Sequence, residues 1–414
     1  MSSVAEPGLL SQGPLWTLPE IRRAPRAFRV VARILIQNWR YGVLTFVLPS
    51  GREIVMRGDE TGPEARLIVH NFNFVRRVLT GGDIGFAEGF MAGEWDTPNL
   101  AALLEAFTMN LERIRQLHVG NPLMRAVNAV SHFFNRNTRR GSRKNIHAHY
   151  DLGNAFYSSW LDPSMTYSSA LYAGRDVSLQ EAQRQKYANL AEDMALKEGM
   201  SVLEIGCGWG GFAEFAAREI GAQVTGITIS KAQHDFAKKR LFDQGLADKA
   251  KIVLVDYRDV EGRFDRVASI EMFEAVGERY WPAYFNKVAQ VLEPGGRAGL
   301  QIITIRDEDF EHYRSRPDFI QKYIFPGGML PSETRLKEET AAAGLTWTGI
   351  ERFGRDYART CATWAERFEE KWSEITRLGF DERFRKLWLF YLGYCQAGFN
   401  TGHTNVVQLQ LAKA

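Results

Sequence analysis

The 414-residue sequence predicts an α/β fold, a doubly wound, Rossmann-like sheet preceded by a small amino-terminal α+β domain. Three observations predict it. From about Asn145, short apolar runs alternate with amphipathic segments at the pitch of βαβ units. The first of these runs, SVLEI, passes directly into a glycine-rich turn, GCGWGG. The composition, 45% hydrophobic and 24% charged, supports a sizeable core and excludes disorder, collagen and small disulfide scaffolds.

Taken in order, GVLTFVLPSGREIVM reads as a hairpin, two strands around Pro49-Ser50-Gly51. RLIVH is a strand, glycine turns are expected at Gly81-Gly82 and at Gly93, and NLAALLEAF is a helix introduced by Pro98. Residues 121–148 read as a basic amphipathic helix and loop, with Leu123, Val127, Val130 and Phe134 at helical spacing. It is either a solvated connector or a membrane-surface element. The domains are accordingly placed at 1–137 and 138–414. Beyond SVLEI, FAEFAAREIG is a helix, AQVTGITI a strand, SKAQHDFAKKRL a helix, and KIVLVD and RVASI are strands. Leu292-Glu293-Pro294-Gly295-Gly296 is a turn before the strand GLQIITI, and 306–331 reads as a long loop or lid. SETRLKEETAAAG is a helix capped by Ser332 and ended by Gly344.

Charge is uneven. Residues 1–150 hold 19 Lys+Arg against 12 Asp+Glu, and neither 21–40 nor 113–150 contains an acid. Such stretches suit an anionic surface, either nucleic acid or membrane. No apolar run approaches the roughly 18–20 residues that span a bilayer, and the first residues lack a signal-peptide pattern, so the expected location is cytoplasmic and peripheral, at the inner membrane surface. Cys207, Cys361 and Cys395 are too widely spaced for a zinc site or a disulfide framework, and a reducing compartment fits them. His147 and His149 lack a third ligand at a recognisable spacing, so no metal is expected.

The turn Glu204 to Gly211 places Gly206, Gly208 and Gly210 where the chain bends from strand to helix and backbone can approach a ligand. Its spacing is not G-x-G-x-x-G, and an acid, Glu204, precedes the glycines. That suits the methionine end and ribose of S-adenosylmethionine better than a pyrophosphate. The second strand ends in Thr228, Ser230 and Gln233, hydroxyl and amide groups in place of the frequent acid. Asp256, with Tyr257 beside it, is placed to accept from an adenine amino group.

Six motifs now stand together: HYDLGNAFYSSWLDPSMTYSSALY, VLEIGCGWGGFAEFAA, VTGITISKAQ, DYRD, SIEMFEAVG and KYIFPGGMLPS. In this order and spacing the chain resembles the cyclopropane fatty acid synthases, including the mycolic acid cyclopropanating enzymes. GDIGFAEGFMAGEWDTPNLAALL is similar to the amino-terminal domain of the bacterial phospholipid-modifying branch. The resemblance implies a class I methyltransferase fold, a homodimer, and methyl transfer to a double bond of an acyl chain in an anionic membrane phospholipid, giving a cyclopropane fatty acid. It implies that Tyr167, Ser168, the Glu204–Gly211 loop, Thr228, Ser230, Gln233, Tyr257 and Arg258 contact S-adenosylmethionine. It further implies a bicarbonate ion surrounded by four positions, normally Cys, Glu, His and Tyr. Here these are Ser169, Glu274, Gln301 and Tyr357, so two of the four depart from the pattern. Those departures leave the product open between a cyclopropane and a methylated or methylene-bearing chain.

The chemistry states what the site must supply. An alkene is a poor nucleophile, so the sulfonium methyl must be held in line with it. The resulting carbocation demands a dry pocket, and aromatic faces at Tyr167, Phe273 and Tyr323 suit it. A base must then remove a proton, with Glu274 the expected organiser and Tyr357, Ser169 and Gln301 donating to the ion. A nucleic-acid methyltransferase is disfavoured, because SIEMFEAVG stands where a D-P-P-Y or N-P-P-Y element would grip a flipped base. A small-molecule methyltransferase would not need the basic amino-terminal domain, and a non-enzymatic lipid binder would not need the glycine loop.

Overall fold

The computed structural model describes residues 19–114 and 152–414. The chain divides into two compact units, Met1–Met124 and Arg125–Ala414. The expected 137/138 boundary, the basic helix over 121–148 and the His147/His149 pair lie outside the described residues.

In the first unit, helices α1 (Pro19–Arg23) and α2 (Arg26–Asn38) precede a four-stranded sheet of order β2-β1-β3-β4. β1 (Tyr41–Val47) and β2 (Glu53–Arg57) form the expected antiparallel hairpin. β3 (Glu60–Val69) runs parallel to β1, and β4 (Trp95–Asp96) closes the edge. The expected Gly81-Gly82 turn falls within α3 (Asn73–Met91), which Gly82, at φ 61° and ψ −133°, divides into two helical segments across a kink. α4 (Leu100–Met109) starts as expected, with the Asn99 side chain accepting from the Ala102 N–H. The alternation of β1 buries Leu44 and Phe46, the latter edge-on to Phe28 of α2 at 5.9 Å, while Arg22, Arg23, Arg26, Arg29 and Arg33 are exposed with Val30.

The second unit opens with α5 (Asn154–Trp160) and α6 (Leu179–Asp193), then builds a seven-stranded sheet of order β10-β11-β9-β8-β5-β6-β7. The chain starts in the middle at β5 (Ser201–Ile205) and moves outward through β6 (Gln223–Thr228) and β7 (Ala250–Leu254). It then crosses back to β8 (Phe264–Ile270) and β9 (Leu292–Ile305), all five strands being parallel. β10 (Leu345–Arg352) and β11 (Thr404–Lys413) finish the sheet antiparallel. The order reverses between β5 and β8, so a ligand crevice is expected beyond their carboxyl ends. Leu203, Ile205, Val267, Leu300 and Ile302 pack on the helices of one face, and Val202 and Ala268 on those of the other. This is why the central strands read as continuous apolar runs.

Helices α7 (Gly211–Phe215), α8 (Lys231–Asp243) and α12 (Glu333–Ala342) fall where expected, and a further helix, α9 (Trp281–Val291), leads into β9. Ser230 and Ser332 cap α8 and α12 with their side chains. Two expectations differ. The Leu292–Gly296 turn lies within β9, whose ladder with β8 shifts between Phe264/Leu292 and Arg266/Arg297, because Pro294 lacks a ladder donor and the chain bulges past it. The segment 306–331 is not a structureless loop. It contains α10 (Asp307–Arg314) and α11 (Phe319–Tyr323), the latter closed by a reciprocal Asp318/Gln321 capping box. Past β10, helices α13 (Gly354–Glu370), α14 (Trp372–Arg377) and α15 (Glu382–Asn400) precede the last strand.

Candidate functional site

The turn after β5 lies at the crevice. Gly206 adopts φ 81°, and a Cβ there would stand 2.6 Å from the Met272 Cγ. Gly208, at φ 51°, faces open space, with nothing within 4 Å of an added Cβ. One glycine thus serves close packing and the other leaves the approach clear. Glu204 is buried, accepts from the Ala213 N–H, and has Oε2 without a protein partner. Burial raises its carboxyl to about 8 against the opposing pull of Lys186 and Arg240. An orphaned acceptor beside an open glycine fits a polar ligand whose hydroxyl or ammonium groups complete the shell, as S-adenosylmethionine would.

The neighbouring groups are largely engaged. Thr228 donates to the Gln233 Oε1 at 3.0 Å, and Ser230 N–H to the Thr228 hydroxyl at 3.1 Å. Asp256 is clamped by Arg258, Nε to Oδ1 at 2.8 Å and Nη2 to Oδ2 at 2.7 Å, so any adenine donor shares its oxygens with that guanidinium. The Arg258 guanidinium lies over the Tyr257 ring at 5.4 Å. Ser168 accepts from the buried Lys186 Nζ at 2.6 Å and is not a free hydroxyl.

Across the crevice, β8 ends at Ile270 and the next residue is Glu271. Its carboxylate collects three donors: Ser169 N–H to Oε1 at 2.8 Å, Gln301 Nε2 to Oε1 at 2.7 Å, and the Tyr357 hydroxyl to Oε2 at 2.6 Å. The elements explain the convergence. Gln301 sits on β9 opposite Ile270, its own oxygen held by Gln408 of β11 at 3.0 Å. Tyr357 projects from the first turn of α13, its ring stacked on Phe399 at 4.3 Å. Burial raises the Glu271 carboxyl, while Tyr357, Lys186, Ser169 and Gln301 favour its ionised form. Glu271 also has φ 49°, a left-handed conformation rare outside glycine. Such strain is characteristic of functional positions.

Glu274, the acid expected at this centre, neighbours Glu271 but does not share its donors. A 3₁₀ turn, Phe273–Ala275, directs its Oε1 to the Ile303 N–H at 2.5 Å, and Oε2 is buried without a partner. Burial, reinforced by Glu271, raises it to about 8. Ser169 also acts differently from expectation: its hydroxyl donates to the Ala170 carbonyl at 2.9 Å and only its N–H reaches the carboxylate. Bicarbonate does not fit this arrangement, since Ser169, Gln301 and Tyr357 already surround the Glu271 carboxylate and a further anion would meet a like charge.

An aromatic box joins the two halves. Trp209 of the glycine loop lies 5.0 Å from Tyr157, which lies 5.3 Å from Tyr167. Tyr167 faces Trp364 at 5.3 Å and Trp160 at 5.6 Å, with its hydroxyl on that of Tyr391 at 2.8 Å. Of the three aromatics expected to face a cation, Tyr167 alone belongs to this box. Phe273 is core, packed on Trp281 and Phe285, and Tyr323 packs on Phe319 in α11. The residues missed from sequence are Glu271, Lys186, Trp160 and Trp364. A second acid three residues before Glu274, directly at the carboxyl end of a central strand, was the available signal for Glu271. No cluster of potential metal ligands occurs among the described residues.

The profile of the family described as mycolic acid cyclopropane synthetase matches residues 137–409. The tuberculostearic acid methyltransferase UfaA1 of Mycobacterium tuberculosis is 35% identical over 410 residues, 95% of each chain. The cyclopropane-fatty-acyl-phospholipid synthase of Escherichia coli K12 is 34% identical over 350 residues, 84% of this chain and 88% of that one. Among solved structures, the mycolic acid cyclopropane synthase CmaA1 complexed with SAH and CTAB superposes with a TM-score of 0.62 at 30% identity, covering 66% of this chain and 98% of that one.

Proposed function

Because this chain belongs to the mycolic acid cyclopropane synthetase family, and is thereby an S-adenosylmethionine-dependent methyltransferase of lipids with the class I fold, we propose that its substrate is the double bond of an unsaturated fatty acyl chain in an anionic membrane phospholipid. The product of the first reading is a cyclopropane fatty acyl chain.

The observation that carries this reading is the aromatic box beside a carboxylate. Methylating an alkene creates a carbocation, which needs faces that stabilise charge without adding to it, and then a base. Tyr167 between Trp160 and Trp364, two residues before the Ser169 N–H that holds Glu271, supplies both requirements in one place. Membrane access is supported by α2, whose exposed Arg26, Arg29 and Arg33 share one helical face with Val30. No helix among the described residues is long and apolar enough to cross a bilayer, so contact with lipid is proposed as peripheral, from the cytoplasmic side.

A second reading, a methylene-bearing chain formed from the same cation, is favoured by the departures at Ser169 and Gln301 and by the end-to-end similarity to a protein named as a tuberculostearic acid methyltransferase. A saturated methyl branch would need a further reduction. Expression in a bacterial host lacking its own synthase, followed by NMR of the extracted lipids, tests both. Ring protons support the first reading and vinylidene protons the second. Unmodified acyl chains in the presence of folded, cofactor-binding protein would refute both.

A further inference from the structure

Resting on the reading just given, we propose that Glu271 is itself the catalytic base, a carboxylate of the chain standing where a bicarbonate ion would otherwise be bound, so that the reaction does not depend on bicarbonate. Three of the four positions expected to surround the ion donate to Glu271 instead, through Ser169 N–H, Gln301 Nε2 and the Tyr357 hydroxyl, all within 2.8 Å. A carboxylate and a bicarbonate present the same pair of acceptor oxygens, so the three donors are as well matched to one as to the other. Ser169 and Gln301 are fully buried and Glu271 is half-buried as a residue, so the donors reach its carboxylate from the protein interior.

The two neighbouring acids are separated by their surroundings. Burial raises the Glu271 carboxyl, but its three donors and the nearby Lys186 oppose that shift and favour its ionised form. Glu274 has one donor and an unpartnered oxygen, and it retains its proton near neutral pH. One carboxylate is therefore poised to accept a proton, and the other does not compete for it. In the reaction, the sulfonium C–S bond breaks with its electron pair on sulfur, and the alkene π pair forms the new C–C bond, leaving a cation on the adjacent carbon. Glu271 takes a proton from the transferred methyl carbon. The released C–H pair closes the ring onto the cationic carbon or, after a hydride shift, forms the exocyclic double bond. The proton then leaves Glu271 to solvent, and the atoms balance with S-adenosylhomocysteine as the other product.

The test uses the full-length protein, with unsaturated anionic phospholipid vesicles and S-adenosylhomocysteine release as the readout. In carbon-dioxide-stripped buffer the unsubstituted protein should turn over at a rate that added bicarbonate changes by less than about twofold. Glu271→Gln should lose on the order of a hundredfold or more in turnover, as expected for loss of a general base, with S-adenosylmethionine affinity by calorimetry kept within about threefold. Glu271→Gly suits the φ of 49° and removes the side chain, and added bicarbonate or formate should restore part of its turnover. Strong bicarbonate dependence of the unsubstituted protein would overturn the proposal. So would near-normal turnover of Glu271→Gln, or failure of both anions to raise the turnover of a folded, cofactor-binding Glu271→Gly. If the unsubstituted protein yields no product under any condition, the proposed function fails, a result distinct from these.

Discussion

Tyr357→Phe separates the chemistry of the Glu271 shell from its packing. Phenylalanine keeps the ring that stacks on Phe399 at 4.3 Å and removes the hydroxyl that donates to the Glu271 Oε2 at 2.6 Å. Burial holds the Tyr357 hydroxyl well above its ordinary pKa, so it is a donor throughout the working range. A hydrogen bond to a charged group contributes about 1.5–3 kcal/mol, and one pKa unit corresponds to about 1.4 kcal/mol. Loss of this donor should therefore raise the Glu271 pKa by about 1–2 units. The sign is fixed, because Tyr357 donation favours the ionised form and the base must be ionised to act. The acid limb of the kcat/KM profile should move to higher pH by about 1–2 units, with the plateau at high pH much less affected. Initial rates of S-adenosylhomocysteine release from pH 5 to 9, with calorimetric cofactor affinity at each end, provide the assay. A uniform loss at every pH with an unmoved acid limb, or a limb displaced to lower pH, would refute the reasoning.

Other outcomes follow from the same structure. Gly208→Leu places its Cβ in open space, so the protein should fold with a cost of about 1–2 kcal/mol for the left-handed backbone. It should bind S-adenosylmethionine more than about tenfold more weakly; unchanged affinity by calorimetry would remove the cofactor from this turn. Substituting Arg26, Arg29 and Arg33 together by Gln should weaken binding to anionic vesicles on the order of a hundredfold at low salt, at about 1 kcal/mol per residue. Equal binding of the unsubstituted protein to neutral vesicles would point to apolar contact instead. Glu204 and Glu274 both titrate near about 8 when folded and near 4.5 when unfolded, so between those values the folded state binds more protons. Thermal stability without cofactor should fall as pH rises from about 5 to about 7, below the range in which Lys186 responds. Glu274→Gln should flatten that slope, and a melting temperature that rises across this interval would contradict the assignment.

The parts of the fold visible in the sequence are those set by local signals. SVLEI became β5 residue for residue, and Ser230 and Ser332 cap helices at the places their side chains dictate. The short helices within 306–331 were hidden because α10 is charged and α11 is only five residues long, too short for periodicity to register. The site was half visible. A glycine loop after an apolar strand has a steric reason that can be read in one dimension, whereas Tyr357, Ser169 and Gln301 are reached only through the family resemblance. The identity of the acid among them is legible in neither way. Glu271 and Glu274 lie three residues apart, and which one meets the donors depends on a left-handed residue and a 3₁₀ turn. It depends as well on a register that sets Gln301 beside Ile270. The aromatic box is equally non-local, drawing Trp160, Tyr167, Trp364 and Tyr391 from distant parts of the chain.

The central claim is methyl transfer from S-adenosylmethionine to the double bond of a phospholipid acyl chain, and carbon-13 labelling tests it most directly. Purified protein is incubated with methyl-labelled S-adenosylmethionine and vesicles of an unsaturated anionic phospholipid, and the recovered lipid is examined by carbon NMR. The expected result is one labelled carbon per modified chain, bonded at the position of the former double bond as a ring CH₂ or an exocyclic methylene. Label on a headgroup nitrogen or oxygen, or none in the lipid while S-adenosylhomocysteine accumulates, would contradict the account.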